Sequence, residues 1–519
     1  MASGKFNSPL TRVIQGALIL FLITSFVRAQ ETTPVTPKLR IEACIEQALL
    51  HNLALKAERI DPELAKEQTQ VAVSEFDPAL NAIANTRTIQ QSSSSSDLDG
   101  SDGPRNESVG ARIGVSKKVD TGATVSVSTN MGRILTNSEF STLNPAYDAD
   151  VSVTLRQPLL NGFGTDVNRA ARNRSLVGVD RADFVLQSRV LDTVQQTEAA
   201  FYNLAFQRAT LRVRQSARDV AEKFLEENRF RRSSGMATNL DVTQAEVGLA
   251  DQKALVLNSE QGVSDAEDLL RTLIGDHPFD APIEELEVDL STGEIPSVSA
   301  AYGTALKFQP EYHSAISFSE QLKYDVILAR SGSKPNLDLG GAVGFTGLDD
   351  SYRNAYQGVP TGDGYHWQID LTLNVPWGRR EGRARLRQTE LILQREELRI
   401  QDLERTMMMD IRKAVRAAET GVERVNIAQL RSRLSREEYE LEKAKFEAGL
   451  STSRLVLDAQ QRADQARVSE FMAFVELKNA WSELQRVQGI SLSTYGIAML
   501  PPPAESDSKS EETSTSPVS

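Results

Sequence analysis

The chain has 519 residues, with 58 Lys and Arg against 71 Asp and Glu and a formal net charge of −13, a balance that argues against nucleic-acid binding. Apolar residues make up 40% and aromatic residues only 6%, which suits long helices packed through small aliphatic side chains better than several thick globular cores. A single cysteine, Cys44, excludes an internal disulfide, and the scattered His51, His277, His313 and His366 lack metal-ligand spacing.

The N-terminus carries Lys5 and Arg12, an apolar run from Val13 to Val27, and then Val27-Arg28-Ala29. This reads as a secretory signal over 1–29 with a cut after Ala29 rather than an anchor, because the run is short for a membrane span. Beyond it no apolar run approaches about 20 residues, so any span must be a β-barrel.

The remaining chain is written twice. Pro78 and Pro335 are 257 apart, and the same offset pairs Ala48 with Ala305, Glu63 with Glu320, Ala72 with Ala329 and Leu80 with Leu337. An offset of 218 pairs Val151 with Ile369, Leu155 with Leu373, Pro158 with Pro376 and Arg169 with Arg387. An offset of 214 pairs Gly235 with Gly449, Thr238 with Thr452, Val242 with Val456 and Gly275 with Gly489. Such long repeats indicate a duplicated architecture. The first repeat spans 30–275, a linker 276–299, the second repeat 300–490, and a disordered tail is expected over 491–519, where Pro, Ser and Glu accumulate.

In each repeat, strands with period two precede a long proline-free helix. Residues 150–157 and 368–375 alternate apolar and polar, as in a barrel strand between lipid and water or in a half-buried soluble sheet. The second repeat shows two strands, near 336–346 and 366–375. The first holds 39 more residues between Pro78 and Pro158 than the second does between Pro335 and Pro376. Those residues include the Ser92–Ser96 run and a further hairpin, Val109–Val115 and Val125–Thr129, around Asp120-Thr121-Gly122. The protomer therefore has four strands, or six if this hairpin joins the sheet. Long polar loops at 92–107, 136–148 and 347–364 would fall on one side, and short turns on the helix side.

Helices are expected over about 165–230 and 379–446, each followed by a glycine turn and a second helix, 238–274 and 452–488. Leu386, Leu393, Ile400 and Met407 recur every seven residues, and Leu403, Met407, Ile411, Val415, Ala418, Val422 and Val425 follow one another at steps of four or three. That is a coiled-coil seam, and the pattern makes two long antiparallel hairpins.

Strand pair, long hairpin, short middle segment and the whole unit again: this order resembles the TolC family of outer-membrane efflux proteins, the outer membrane factors. The marks that carry the resemblance are Gly235-Met-Ala-Thr238-Asn-Leu-Asp241-Val242 and Gly449-Leu-Ser-Thr452-Ser-Arg454-Leu-Val456-Leu-Asp458. Ala48-Leu49 with His51-Asn52, and Gln157-Pro158-Leu159, support them. The resemblance implies a mainly α fold with a membrane β-barrel. In it, coiled-coil hairpins form an α-barrel, and the strands of a homotrimer complete one barrel in outer-membrane lipid. It implies a periplasmic adaptor (membrane fusion) protein and an inner-membrane transporter as partners, no cofactor and no catalysis. Drug, metal or protein cargo, the last by type I secretion, all fit.

The resemblance also assigns roles at the hairpin tips. Asp241, Asp458, Arg454 and Phe446 match the gate or entrance of the periplasmic mouth. Gly235, Thr238, Val242, Gly449, Thr452 and Val456 match adaptor contacts. In a trimer each aspartate would form a ring of three able to attract cations. Asp241 also follows a glycine turn at a helix start, where an acid serves simply as a cap. The cluster Arg229, Arg231, Arg232 reads as a solvated helix end. Gly340–Gly347 lacks the spacing of a dinucleotide loop, and no nucleophile–base pair stands out. A non-conducting coiled-coil envelope protein is the other reading, but it has no use for the alternating strands.

Overall fold

The computed structural model describes residues 38–92, 101, 103–275, 283–289, 293–362 and 364–497. The expected signal over 1–29 lies outside them. The elements in chain order begin with β1 (Leu39–Arg40), α1 (Ile41–His51), α2 (Leu53–Glu58), α3 (Ile60–Val73), β2 (Ala79–Gln90) and β3 (Arg105–Lys118). They continue through β4 (Thr124–Thr136), β5 (Ala146–Pro158), α4 (Thr165–Ser233), α5 (Asn239–Ile274), β6 (Leu286–Glu287), α6 (Val298–Phe308) and α7 (Pro310–Gly332). The last are β7 (Asn336–Asp349), α8 (Tyr352–Gly358), β8 (Gly364–Asn374), α9 (Arg380–Glu447), α10 (Ser453–Gln488) and α11 (Ser491–Thr494).

The extra hairpin joins the sheet. Six strands run antiparallel in the order β2-β3-β4-β5-β7-β8, so β2 and β8 are unpaired edges. Register locks the faces. Ile113, Thr129, Val151, Phe345 and Tyr365 lie in one cross-strand row, and Val115, Val127, Val153, Val343 and Trp367 in the next. This face is apolar and largely exposed. The opposite face carries Arg112, Ser128, Asn130, Asp148, Asp150, Ser152, Asp338, His366 and Asp370. A one-residue slip would exchange the two faces, which is why a strictly alternating sequence specifies one register.

The loop before β8 is not simply a polar loop. Its helix α8 folds back onto the apolar face, burying Ala355 and Val359 against Ala149. Tyr352 packs edge-on against Tyr147 with ring centroids 4.4 Å apart, and the hydroxyls of Tyr356 and Thr129 lie 3.4 Å apart. Gly347 has no Cβ because the Ala355 carbonyl occupies that space.

At about 1.5 Å per residue the 69-residue α4 and the 68-residue α9 each run roughly 100 Å. Helix α4 pairs with α5 and α9 with α10, while α10 lies against α4 and joins the two hairpins. Halfway along, the repeat makes two matching cores. Cys44, Ile45 and Leu49 of α1 pack with Phe201 and Leu204 of α4, and Ala301 and Ala305 of α6 pack with Ile411, Ala414 and Ala418 of α9. Burial pushes the Cys44 thiol up to about 12, leaving it protonated and inert. Gly275 and Gly489, both at positive φ, close α5 and α10. Their missing Cβ atoms admit the backbones of His51-Asn52 and Phe308-Gln309, equivalent breaks 257 apart.

A buried carboxylate sits between the hairpins. Glu198 accepts hydrogen bonds from the Ser482 and Tyr495 hydroxyls, and burial raises its pKa. This corrects the expected boundary of the tail. Residues 491–497 are ordered, with Leu492 in the core and Tyr495 and Ile497 packed against it, because they cover the middle of α4 around Glu198. The rest of the expected tail lies outside the described residues.

Candidate functional site

The two helix-hairpin tips share one backbone solution. After α4, Gly235 (φ 74°) allows Met236 N–H to donate to Arg231 O at 2.8 Å and Gly235 N–H to donate to Arg232 O at 3.0 Å. After α9, Gly449 (φ 77°) allows Leu450 N–H to donate to Lys445 O at 2.8 Å and its own N–H to donate to Phe446 O at 2.9 Å. A side chain at either glycine would strain the left-handed turn that satisfies these carbonyls.

The caps that open the returning helices differ. Thr238 accepts from Asp241 N–H at 3.3 Å, and the Asp241 carboxylate accepts from Thr238 N–H at 2.8 Å and its hydroxyl at 2.7 Å. These bonds hold the Asp241 pKa below its ordinary value, the backbone bond contributing most. Thr452 accepts from Leu455 N–H at 3.5 Å, but leucine returns no bond. Asp241 is thus a capping residue in the protomer, whatever else it does in an assembly. Asp458 lies a turn further along α10, half-buried, and forms no hydrogen bond or ion pair with the described residues of its own chain; Arg454 beside it is exposed.

Phe446 does not face open space. It is 6% exposed, stands 5.3 Å from the Phe224 ring, and carries the Arg231 guanidinium at 4.4 Å. Val242 and Val456 are buried in the same cluster with Ala221, Leu225 and Leu249. They support the tips from inside, leaving Gly235, Thr238, Gly449 and Thr452 as the exposed members of the expected contact set. A buried polar link completes the joint: Ser453 Oγ donates to Asn228 Oδ1 at 3.0 Å, while Asn228 Nδ2 donates to Phe224 O at 2.8 Å. Of the basic cluster, Arg229 pairs with Glu246 at 2.8 Å and Arg231 with Glu227 at 3.8 Å.

Sequence reasoning missed what crowns the tips. Met236 is 67% exposed and Leu450 81% exposed, each directly after its turn glycine, and Leu240 and Leu455 are also exposed. The available signal was position: an apolar residue beside a solvent-exposed turn glycine lacks a core to enter.

The sheet supplies the other functional surface. Its apolar face runs on β7 from Leu337 to Phe345, about 27 Å along the strand, close to the apolar height of an outer-membrane barrel. Tyr147, Phe345, Tyr365 and Trp367 gather toward its outer end, as an interfacial girdle does. Among the described residues no helix is long and apolar enough to cross a membrane, and no cluster of three metal-ligating side chains occurs.

A two-faced open sheet continuous with long helical hairpins is an architecture suited to a channel-forming protein. The family model described as outer membrane efflux protein matches residues 44–276 and 302–489, so the chain belongs to that family. Its members are channels, assembled from trimers whose strands form a β-barrel and whose helices form an α-barrel. The fold is similar to that of the Campylobacter jejuni CmeC outer membrane channel, with a TM-score of 0.66 at 17% identity, covering 87% of this chain and 86% of that one. It is also similar to VceC from Vibrio cholerae, with a TM-score of 0.63 at 16% identity over 86% and 96% of the two chains. The outer-membrane channel OprN matches with a TM-score of 0.64 at 17% identity over 86% and 89%. No curated protein matches the chain.

Proposed function

We propose that this protein is the outer-membrane exit duct of a tripartite efflux or type I secretion system, conducting substrates passively from the periplasmic side to the outside. The observation that carries the reading is the matched pair of open flanks. One flank exposes the edge of β2, then Ile60, Leu64 and Val71 of α3, then Val247 and Leu257 of α5. The other exposes the edge of β8, then Leu391 and Leu398 at the top of α9 and Ile427, Leu434 and Leu441 lower down. Lipid cannot hydrogen-bond an open edge, so each flank requires a partner throughout its height. Unlike flanks joined head to tail close a ring. Three copies would place eighteen strands in the membrane with the polar face lining water, and the hairpins would continue the tube into the periplasm.

The exposed Met236, Leu240, Leu450 and Leu455 give the mouth an apolar crown that suits a periplasmic adaptor, itself joined to an inner-membrane transporter that supplies the energy. At the mouth Asp458 is the better placed constriction residue, because Asp241 is engaged in its cap. A ring of three Asp458 carboxylates would favour cations. The test is reconstitution of the full-length protein in planar bilayers, where a trimeric sample should give discrete conductance steps. A trimer that never conducts would sink the duct.

A further inference from the structure

The repeat relates two strand junctions at the base of the sheet. Inside the protomer, β5 descends into α4 and pairs antiparallel with β7, which rises from α7; Leu155 stands opposite Gly341 and Ser152 opposite Gly344. Strand β8 is the counterpart of β5, 218 residues on, and it descends into α9. Strand β2 is the counterpart of β7, 257 residues back, and it rises from α3. These counterparts are the two unpaired edges. The junction between repeats is therefore a template for the junction between protomers.

Resting on the trimeric reading above, we infer that β8 of one protomer pairs antiparallel with β2 of the next in a single register. Leu373 stands opposite Ala84, Leu371 opposite Thr86, and Asp370 opposite Arg87 of the neighbouring copy. Transferring the β5–β7 register through the two offsets yields these pairs without adjustment. Face parity provides a check that the transfer could have failed. Ile369, Leu371 and Leu373 of β8 are apolar-face residues, and so are Leu80, Ala82, Ala84 and Thr86 of β2. The inferred register matches apolar face to apolar face, whereas a slip by one would set each against the polar lumen.

Charge complementarity is the second support. Asp370 lies on the polar face, where among the described residues it accepts from Gln368 Nε2 at 3.3 Å and Thr372 Oγ1 at 3.4 Å and has the Arg156 guanidinium, itself bonded to Asp338, in its neighbourhood. Arg87 lies on the polar face of β2, exposed, and its side chain forms no ion pair among the described residues. The register sets this arginine directly across from that aspartate. A third support is a paired change. Arg156 bonds Asp338 at 2.7 Å across the internal junction. The counterparts are Asn374 and Asn81, so both charges are replaced together by amides able to bond each other. Finally, Leu159 N–H donates to Leu337 O at 2.7 Å in the internal junction. Its counterpart runs from Trp377 N–H to Leu80 O of the neighbour. That contact covers two apolar side chains that the lone protomer leaves 103% and 70% exposed.

Disulfide trapping in the full-length protein in detergent micelles tests the register. Directly opposed residues of an antiparallel pair lie about 4.5–5.5 Å apart at Cα, within reach of a disulfide. Ala84→Cys combined with Leu373→Cys should convert most of the protein to covalent dimers and trimers on a non-reducing gel. Ala82→Cys with Leu373→Cys, and Ala84→Cys with Leu371→Cys, are each displaced by two residues and should crosslink far less. Cys44 can stay, being buried and protonated. Stronger crosslinking of a displaced pair in a trimeric sample overturns the register. A wild-type protein that is not trimeric by light scattering overturns the trimer reading instead. If the cysteine variants fail to fold, charge exchange decides. Arg87→Glu and Asp370→Arg should each lower the trimer dissociation temperature and together restore it; loss without restoration overturns the pair.

Discussion

The two hairpin tips have the same backbone and different wiring. Both close on a left-handed glycine, both open the returning helix with threonine, and both bury a valine four residues later. Yet the first tip locks Asp241 into a reciprocal cap, whereas the second leaves Leu455 exposed and Asp458 without a hydrogen bond or ion pair among the described residues. Turn and core positions answer to local sterics and packing, so both copies must satisfy them. Outward positions answer only to what meets the mouth, so the copies are free to differ there.

Variants that break the shared part should cost most. Phe446→Ala removes the ring held between Phe224 and Arg231 and should destabilise the protein by about 3–5 kcal/mol, read by denaturant unfolding in detergent. Phe230→Ala, on the other tip and 69% exposed, should change stability by less than about 0.5 kcal/mol. Equal losses would mean that the tips do not divide into packed and free surfaces as described.

A smaller effect is expected where the second hairpin carries Asp464 and the first has Ala250 in the equivalent place. Burial raises Asp464 from its ordinary value to about 6, against the pull of Arg214 and Arg467. The folded chain then holds a proton that the unfolded chain has lost, so this group's contribution to stability falls as pH rises from about 4 to about 6. Asp464→Asn should accordingly raise the thermal midpoint more at pH 7.5 than at pH 4.5. A gain of the same size at both values would remove the titration from the explanation.

The caps can be exchanged to sharpen the comparison. Asp241→Ala should cost about 1 kcal/mol by breaking the capping box, and Leu455→Asp should stabilise by under about 1 kcal/mol by building one in the other copy. The same thermal melts read both. Least of all should Asp458→Ala alter stability, because its carboxylate forms no hydrogen bond or ion pair among the described residues. Its expected effect is on single-channel current, as weaker cation selectivity or weaker divalent block. An unchanged pore would remove Asp458 from the constriction.

Much of the architecture was legible because it is written in short-range patterns. The proline-free seam around Met407, Ile411 and Val415 set α9 to within a residue or two of Arg380–Glu447, and Gly-x-x-Thr placed both turns. Strand parity at Val151–Leu155 and Ile369–Leu373 separated the two faces before any pairing was known. The site was less legible. Nothing in the spacing around Phe446 says that a helix 222 residues away presents Phe224 to it, and Val242 reads as well for a contact surface as for a core.

The amino-acid sequence by itself therefore determined the duplicated plan: where helices begin and turn, which strand residues share a face, and where the copies differ in length. These follow from periodicity, glycine φ and capping, all set within a few residues. Only the tertiary structure decided that the extra hairpin widens the sheet to six strands, that α8 folds back on the apolar face, and that residues 491–497 belong to the core. It also decided that β2 and β8 are the edges left open. Those outcomes depend on which distant surfaces meet, and burial between surfaces hundreds of residues apart leaves no periodic signal in either one.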